Sequence, residues 1–153
     1  MVAREISMFR KVRAAAAVVS RIRSGPVSKA DVEFLEGSKR HDVVGESFYQ
    51  KGISSICGGH SREGHKLEIV AVLRPEPANP HDANAVAVLI DGKQVGHLPR
   101  AKAKALQKPL IALERSSGKP VGCRGLIVGG WDRGRNDQGQ FGVQLFFDEK
   151  NIR

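Results

Sequence analysis

Cysteine is almost absent from this chain of 153 residues: only Cys57 and Cys123 occur, far apart and with no C-x-x-C pair. That excludes a disulfide framework and a four-thiolate zinc site, and it suits a reducing compartment. Aromatic residues make up only 5%, so the core has to be mainly aliphatic. Long apolar runs are missing too. One of the longest, Ala14 to Val19, is too short to cross a bilayer and leads into Arg21 and Arg23, which also spoils a secretory reading. A soluble, cytoplasmic protein is expected, nucleoid-associated in a bacterium. No G-x-x-x-x-G-K-[ST] stretch is present to cradle phosphates, so no P-loop ATPase is expected. The length suits one domain and leaves no room for a second, large catalytic one. Acidic residues are the scarcer charge, 16 against 25 Lys and Arg, giving a formal net charge of +9. Such a field attracts polyanions, which makes nucleic acid the leading partner class.

The basic excess gathers early: residues 1 to 40 hold nine Lys or Arg against four acids, and the remainder 16 against 12. Val2, Ile6, Phe9, Val12, Ala16 and Val19 recur at helical spacing, with Arg10, Lys11 and Arg21 on other faces, until Gly25-Pro26 ends the pattern. Three readings of this basic helix stand: packing on the barrel or a second copy, a non-specific DNA contact, or a targeting or membrane-surface segment. Ser28 with Asp31 resembles an N-cap opening a short second helix through Val32, Phe34 and Leu35. Residues 1–40 are therefore expected to be a helical extension, and 41–153 a β domain.

From His41 the pattern turns strand-like, through Val43-Val44-Gly45, Ser47-Phe48-Tyr49 and Ile53 to Ile56. Gly58 to Gly64 is a polar glycine-rich loop, Leu67 to Leu73 a strand, and Pro75 to Pro80 a stretch whose three prolines forbid regular structure. Val86 to Ile90 and Gln94 to Leu98 flank Asp91-Gly92, the clearest hairpin signal in the chain. A helix begins at Pro99, buries Leu106, Leu110 and Leu113, is kinked or divided at Pro109, and is capped by Gly118. Val121 to Val128 and Gln140 to Phe147 close the fold as strands. Local hairpins without β-α-β alternation predict a mainly β architecture, a small antiparallel barrel.

Three blocks carry a resemblance: Val43-Val44-Gly45-Glu46-Ser47-Phe48-Tyr49, the stretch from Leu73 to Val88 containing Asn79-Pro80-His81-Asp82-Ala83-Asn84-Ala85, and Gln94-Val95-Gly96-His97-Leu98-Pro99-Arg100. In this order and spacing they resemble the HIRAN domain, over roughly residues 41 to 148. The resemblance implies an OB-like barrel which, in members attached to fork-remodelling helicases, grips the 3′ end of single-stranded DNA and reads its free hydroxyl. It implies Asp82 as acceptor for that hydroxyl and His81 where those members place a stacking Tyr. Asn79 would precede both on the turn, His97 and Arg100 would be a basic pair, and Phe48, beside Tyr49, a first-strand aromatic. Two departures stand out. Ser47 replaces a basic residue, which removes a phosphate contact, and His81 should stack more weakly than Tyr and in a pH-dependent way.

The residues themselves admit plainer roles. Asp82 and Asn84 suit turn caps, and His97, between Val95 and Leu98, suits a structural histidine. Trp131, after Gly129-Gly130, suits either a base platform or packing at the barrel mouth, and Arg124, Arg133 and Arg135 either a phosphate track or solvated charge. Cys57, His60 and His65 have partial metal-ligand spacing without a fourth ligand, and no cofactor is expected. The expected function is a non-enzymatic module gripping single-stranded DNA at a 3′ end, in repair, replication or restriction. Its rivals are an adaptor for a helicase or nuclease subunit and a metal-dependent hydrolase, the latter also drawing on His81 with Asp82.

Overall fold

The computed structural model describes residues 26–152. The strands are β1 (Glu33–Leu35), β2 (Arg40–Asp42), β3 (His65–Pro75), β4 (Val86–Ile90), β5 (Lys93–His97), β6 (Val121–Gly129) and β7 (Phe141–Phe146). Two α-helices, α1 (Gln50–Cys57) and α2 (Arg100–Ser117), lie between them, with 3-10 turns at Lys29–Asp31, Glu46–Phe48 and Glu149–Ile152. Asp91 and Gly92 have φ of 51° and 77°, the left-handed pair that a two-residue turn between twisted strands requires, so β4 and β5 form the expected hairpin.

The strands run in the order β2-β7-β6-β3-β4-β5, antiparallel throughout, with β1 added parallel to β6. The two edges of this sheet then meet. Val44, two residues beyond β2, exchanges both backbone hydrogen bonds with His97 at the end of β5, each 2.9 Å. The sheet is thereby curled into the mainly β, antiparallel barrel that the hairpin pattern predicts, joined at this one bridge and consistent with the OB-like form that the resemblance implies. Gly96 permits the closure. A Cβ there would lie 2.5 Å from both Val43 Cγ1 and the Val44 carbonyl oxygen.

Apolar sorting explains why β4 is a continuous run rather than an alternating one. Val86, Val88 and Ile90 point into the main core with Leu73, Val121, Ile127 and Leu145. Ala87 and Leu89 are buried on the opposite face against Val27, Val32 and Val72. A strand covered on both faces has no polar side to show.

Several expectations are corrected. The amphipathic helix over Val2 to Val19 lies outside the described residues. The Ser28–Asp31 capping box does form, with the Ser28 N–H and Oγ donating to Asp31 Oδ2 at 2.9 and 3.0 Å. It opens only one 3-10 turn, however, and the chain then extends into β1 instead of a second helix. Val32 and Leu35 go to different cores. Over so few residues helical and extended spacing cannot be told apart, and pairing with β6 decides.

Ser47 to Tyr49 and Ile53 to Ile56 are likewise not strands but a 3-10 turn and helix α1. Ile53, Ile56 and Cys57 share one face toward the core. The segment is anchored by side chains that imitate a strand: Glu46 Oε2 accepts from Val143 N–H at 2.6 Å, and Gln50 bonds both polar backbone groups of Phe141 at 2.8 and 3.0 Å. Helix α2 follows its expected bounds, caps on Gly118, buries Leu106 and Leu110, and runs through Pro109 as one element. Among the described residues no helix is long and apolar enough to cross a membrane.

Candidate functional site

The loop between β3 and β4 is built from its own polar groups. Pro75, Pro77 and Pro80 carry no N–H, so the turn is closed by what remains. Glu76 N–H donates to Ala85 O at 2.8 Å, Asn79 N–H to Glu76 O at 3.0 Å, and Ala85 N–H to Asp82 O at 3.1 Å. Asn79 Oδ1 accepts from the N–H groups of His81 and Asp82, 2.8 and 3.1 Å, while Asp82 Oδ1 accepts from Asn84 N–H at 2.9 Å. From α2, the buried Gln107 side chain donates to the carbonyls of Ala83 and Ala85 at 2.8 and 3.0 Å, pinning the loop to the barrel.

This arrangement leaves the second oxygen of Asp82 facing outward. Its Oδ2 lies 3.6 Å from Arg100 Nε at the start of α2, with the Asp82 side chain 22% exposed and that of Arg100 83% exposed. Asp82, Asn84, Arg100, Ala101 and Lys104 line an open depression at this rim. The turn cap of Asp82 thus uses Oδ1, while Oδ2 faces Arg100.

His97 closes the barrel with its backbone and joins the same loop with its ring. Its Nε2–H donates to Glu76 Oε1 at 2.8 Å, and that oxygen also lies 3.4 Å from Asn79 Nδ2. Arg74 approaches the other oxygen of Glu76 at 3.7 Å. Phe48 is 86% exposed, on the 3-10 turn that packs against β5. It is not on a strand. Tyr49 is half-buried against the core at the start of α1, and the His81 side chain is exposed on the turn.

Asn79, His81, Asp82, His97 and Arg100 thus share one rim of the barrel, with the Phe48 turn against its last strand. Trp131 does not. It follows β6 at the His65 end of β3, whereas the Asp82 loop leaves the Pro75 end. There its Nε1–H donates to Asp137 Oδ1 at 3.0 Å, its ring rests on Gly139, and Arg133 stands 6.0 Å from the ring centroid. Arg124, which the sequence leaves open between a phosphate track and a solvated charge, pairs with Glu68 at 3.0 Å.

The metal spacing resolves into packing. His65 Nε2–H donates to Gly59 O at 2.8 Å, and the His60 and His65 rings lean on Phe141 at 4.8 and 5.6 Å. Burial raises the Cys57 thiol pKa and pushes that of core Cys123 up to about 12. Among the described residues no three His, Cys, Asp or Glu gather as metal ligands, and no hydrogen bond joins the His81 ring to Asp82.

Glu76, Lys104 and Gln107 were not visible as site residues in the sequence. Glu76 is one acid in a proline-rich stretch. Gln107 neighbours Leu106 on a helix read only for its leucines, although Lys104, four residues after Arg100, falls on the same helical face and offered a signal.

A family model for the HIRAN domain matches residues 37–122. Among solved structures, the crystal structure of the HIRAN domain of human HLTF is 24% identical over 77% of this chain and 82% of that one, with a TM-score of 0.37. The NMR structure of the HLTF HIRAN domain in its DNA-bound conformation is 27% identical over 77% of this chain and 81% of that one, with a TM-score of 0.32. No curated protein matches the chain.

Proposed function

Because this chain belongs to the HIRAN domain family, we propose that it is a DNA-binding module whose rim grips a single strand at its free 3′-hydroxyl. The observation that carries this reading is the divided role of Asp82, with one oxygen locked into the turn and the other open beside Arg100. A terminal hydroxyl donates to Oδ2, whereas a terminal phosphate is repelled by the same carboxylate. Arg100 and Lys104 offset the phosphates just upstream, in place of the cation that Ser47 does not supply. The exposed rings of His81 and Phe48 offer flat faces to unstacked bases, contacts that tolerate any sequence. His97 and Glu76 hold the loop against the barrel. The setting proposed is repair, replication or restriction, with a helicase or nuclease partner supplying the chemistry.

The test compares fluorescent single strands ending in 3′-hydroxyl, ending in 3′-phosphate, or circularised. Loss of one charge-assisted hydrogen bond corresponds to roughly 1.5–3 kcal/mol, so the hydroxyl-ended strand should bind about tenfold or more tightly than the others. Equal binding of all three would leave a general binder without an end pocket. Negligible binding with little salt dependence would favour the adaptor reading instead.

A further inference from the structure

Beyond the rim, helix α2 presents a row of cations whose purpose the end pocket does not explain. Arg100, Lys104 and Lys108 recur every four residues, and Arg115 follows seven residues later on the same face. All four are exposed. Each four-residue step rises about 6 Å along the axis, and the whole helix spans about 27 Å. Glu114 is the helix's single acid. Exposed Ala101, Ala105 and Ala112 flank the row and keep its approach low.

Some cations elsewhere on the barrel are neutralised, Lys29 by Glu36 at 2.7 Å, Arg40 by Asp42 at 2.9 Å and Arg124 by Glu68 at 3.0 Å, while others such as Lys51, Lys66 and Lys93 are in no ion pair among the described residues. Lys102, on another side of the same helix, pairs with Glu149. Lys104 and Lys108 have no carboxylate within ion-pair distance among the described residues. The row is also continuous with the rim, since Arg100 and Lys104 line the depression holding Asp82. A solvated helix face would share the alignment; the continuity with the rim, together with the lack of ion-pair partners at Lys104 and Lys108, sets this row apart.

We infer that this row is a phosphate track for the single strand upstream of its 3′ end, so that nucleotides leaving the rim run along α2 from Arg100 toward Arg115. This rests on the end-binding reading for its direction. A single line of charges on a convex helix matches one backbone; a duplex presents two, either side of a groove. The track makes binding depend on strand length, and its contacts are to phosphates, without sequence preference.

The experiment uses the full chain and its Lys108→Ala/Arg115→Ala variant, both positions lying outside the rim. Single strands of 3 and 15 nucleotides ending in 3′-hydroxyl, and a 15-base-pair blunt duplex, are titrated at several salt concentrations. The parent should bind the long strand more tightly than the short one. The variant should keep the parent's melting temperature and short-strand affinity, but lose about fivefold or more on the long strand. Its long-strand salt slope should flatten by about 1.4, at roughly 0.7 per lost single-strand contact. An unchanged long-strand affinity and slope would overturn the track. So would a loss confined to the duplex, which would make the row a duplex contact. If 3′-phosphate strands bind as well as 3′-hydroxyl strands while the variant still loses the length gain, the end pocket fails and the track stands.

Discussion

Gln107 is a polar side chain with 5% exposure whose amide is spent on the Ala83 and Ala85 carbonyls. Replacing it by Leu keeps the volume but takes the side-chain donor from the part-buried Ala83 carbonyl and one of two donors from the buried Ala85 carbonyl, which keeps the Glu76 N–H, a loss of about 1 kcal/mol or more. Gln107→Leu should therefore unfold at lower urea. Its folded fraction should also bind hydroxyl-ended strands more weakly, because the Asp82 turn is no longer pinned. If urea midpoint and affinity both match the parent, the loop is held by its own turns alone. The contrast with Asn79 and Asp82 explains what a reader of the sequence can find. Those two announce themselves, since Asx residues among prolines have few conformations open to them and side chains short enough to bond their own backbone. A glutamine on a helix reads as solvated until the neighbouring carbonyls are known. Glu76 is concealed in the same way, its partner His97 being 21 residues further along.

Among elements, the legible ones carry their instructions locally. Asp91-Gly92 dictates a turn and Gly118 ends a helix, and both features appear where the sequence places them. Segments read wrongly are those whose state is chosen from a distance: β1 by its parallel pairing to β6, α1 by the grip of Glu46 and Gln50 on β7. The barrel closure is of the second kind and supplies a test. Gly96→Ala would press a methyl group to 2.5 Å from Val43 Cγ1 and the Val44 carbonyl. Forcing the seam apart should cost about 1–3 kcal/mol. Gly118→Ala, in open space but left-handed at φ 70°, should cost about 1–2 kcal/mol from backbone strain alone. In chemical denaturation the Gly96 variant should be the less stable of the two and the one that loses DNA affinity. A Gly96 variant as stable as the parent would mean that the seam is loose.

For the molecule as a whole, acid sensitivity follows from His41. Its ring is 4% exposed, stacks on Phe147 with centroids 3.9 Å apart, and donates Nε2–H to Phe147 O at 2.9 Å. Burial pulls its pKa below the ordinary 6.5; Lys102 and Lys39 push the same way, against the Phe147 hydrogen bond and Glu149. The unfolded chain therefore binds the proton more readily than the folded one. This contribution to stability is complete above pH 6.5 and drains away as pH falls through the folded value. Melting temperatures from pH 7.5 to 5 should fall for the parent and fall less for His41→Gln. Parallel curves would assign the acid sensitivity to groups other than His41; Glu46 is not among them, since burial raises its carboxyl pKa and the folded chain holds that proton more readily than the unfolded one.

The barrel resembles a hoop fastened by one latch. Elsewhere around its circumference neighbouring strands share three or more residue pairs, whereas between β2 and β5 only Val44 and His97 meet. Breathing of the hoop starts where the fewest bonds must part. Because the latch residue also holds Glu76 through its ring, every such excursion is felt first by the proline-rich loop and Asp82. The opposite mouth, where Trp131 rests on Gly139, is spared.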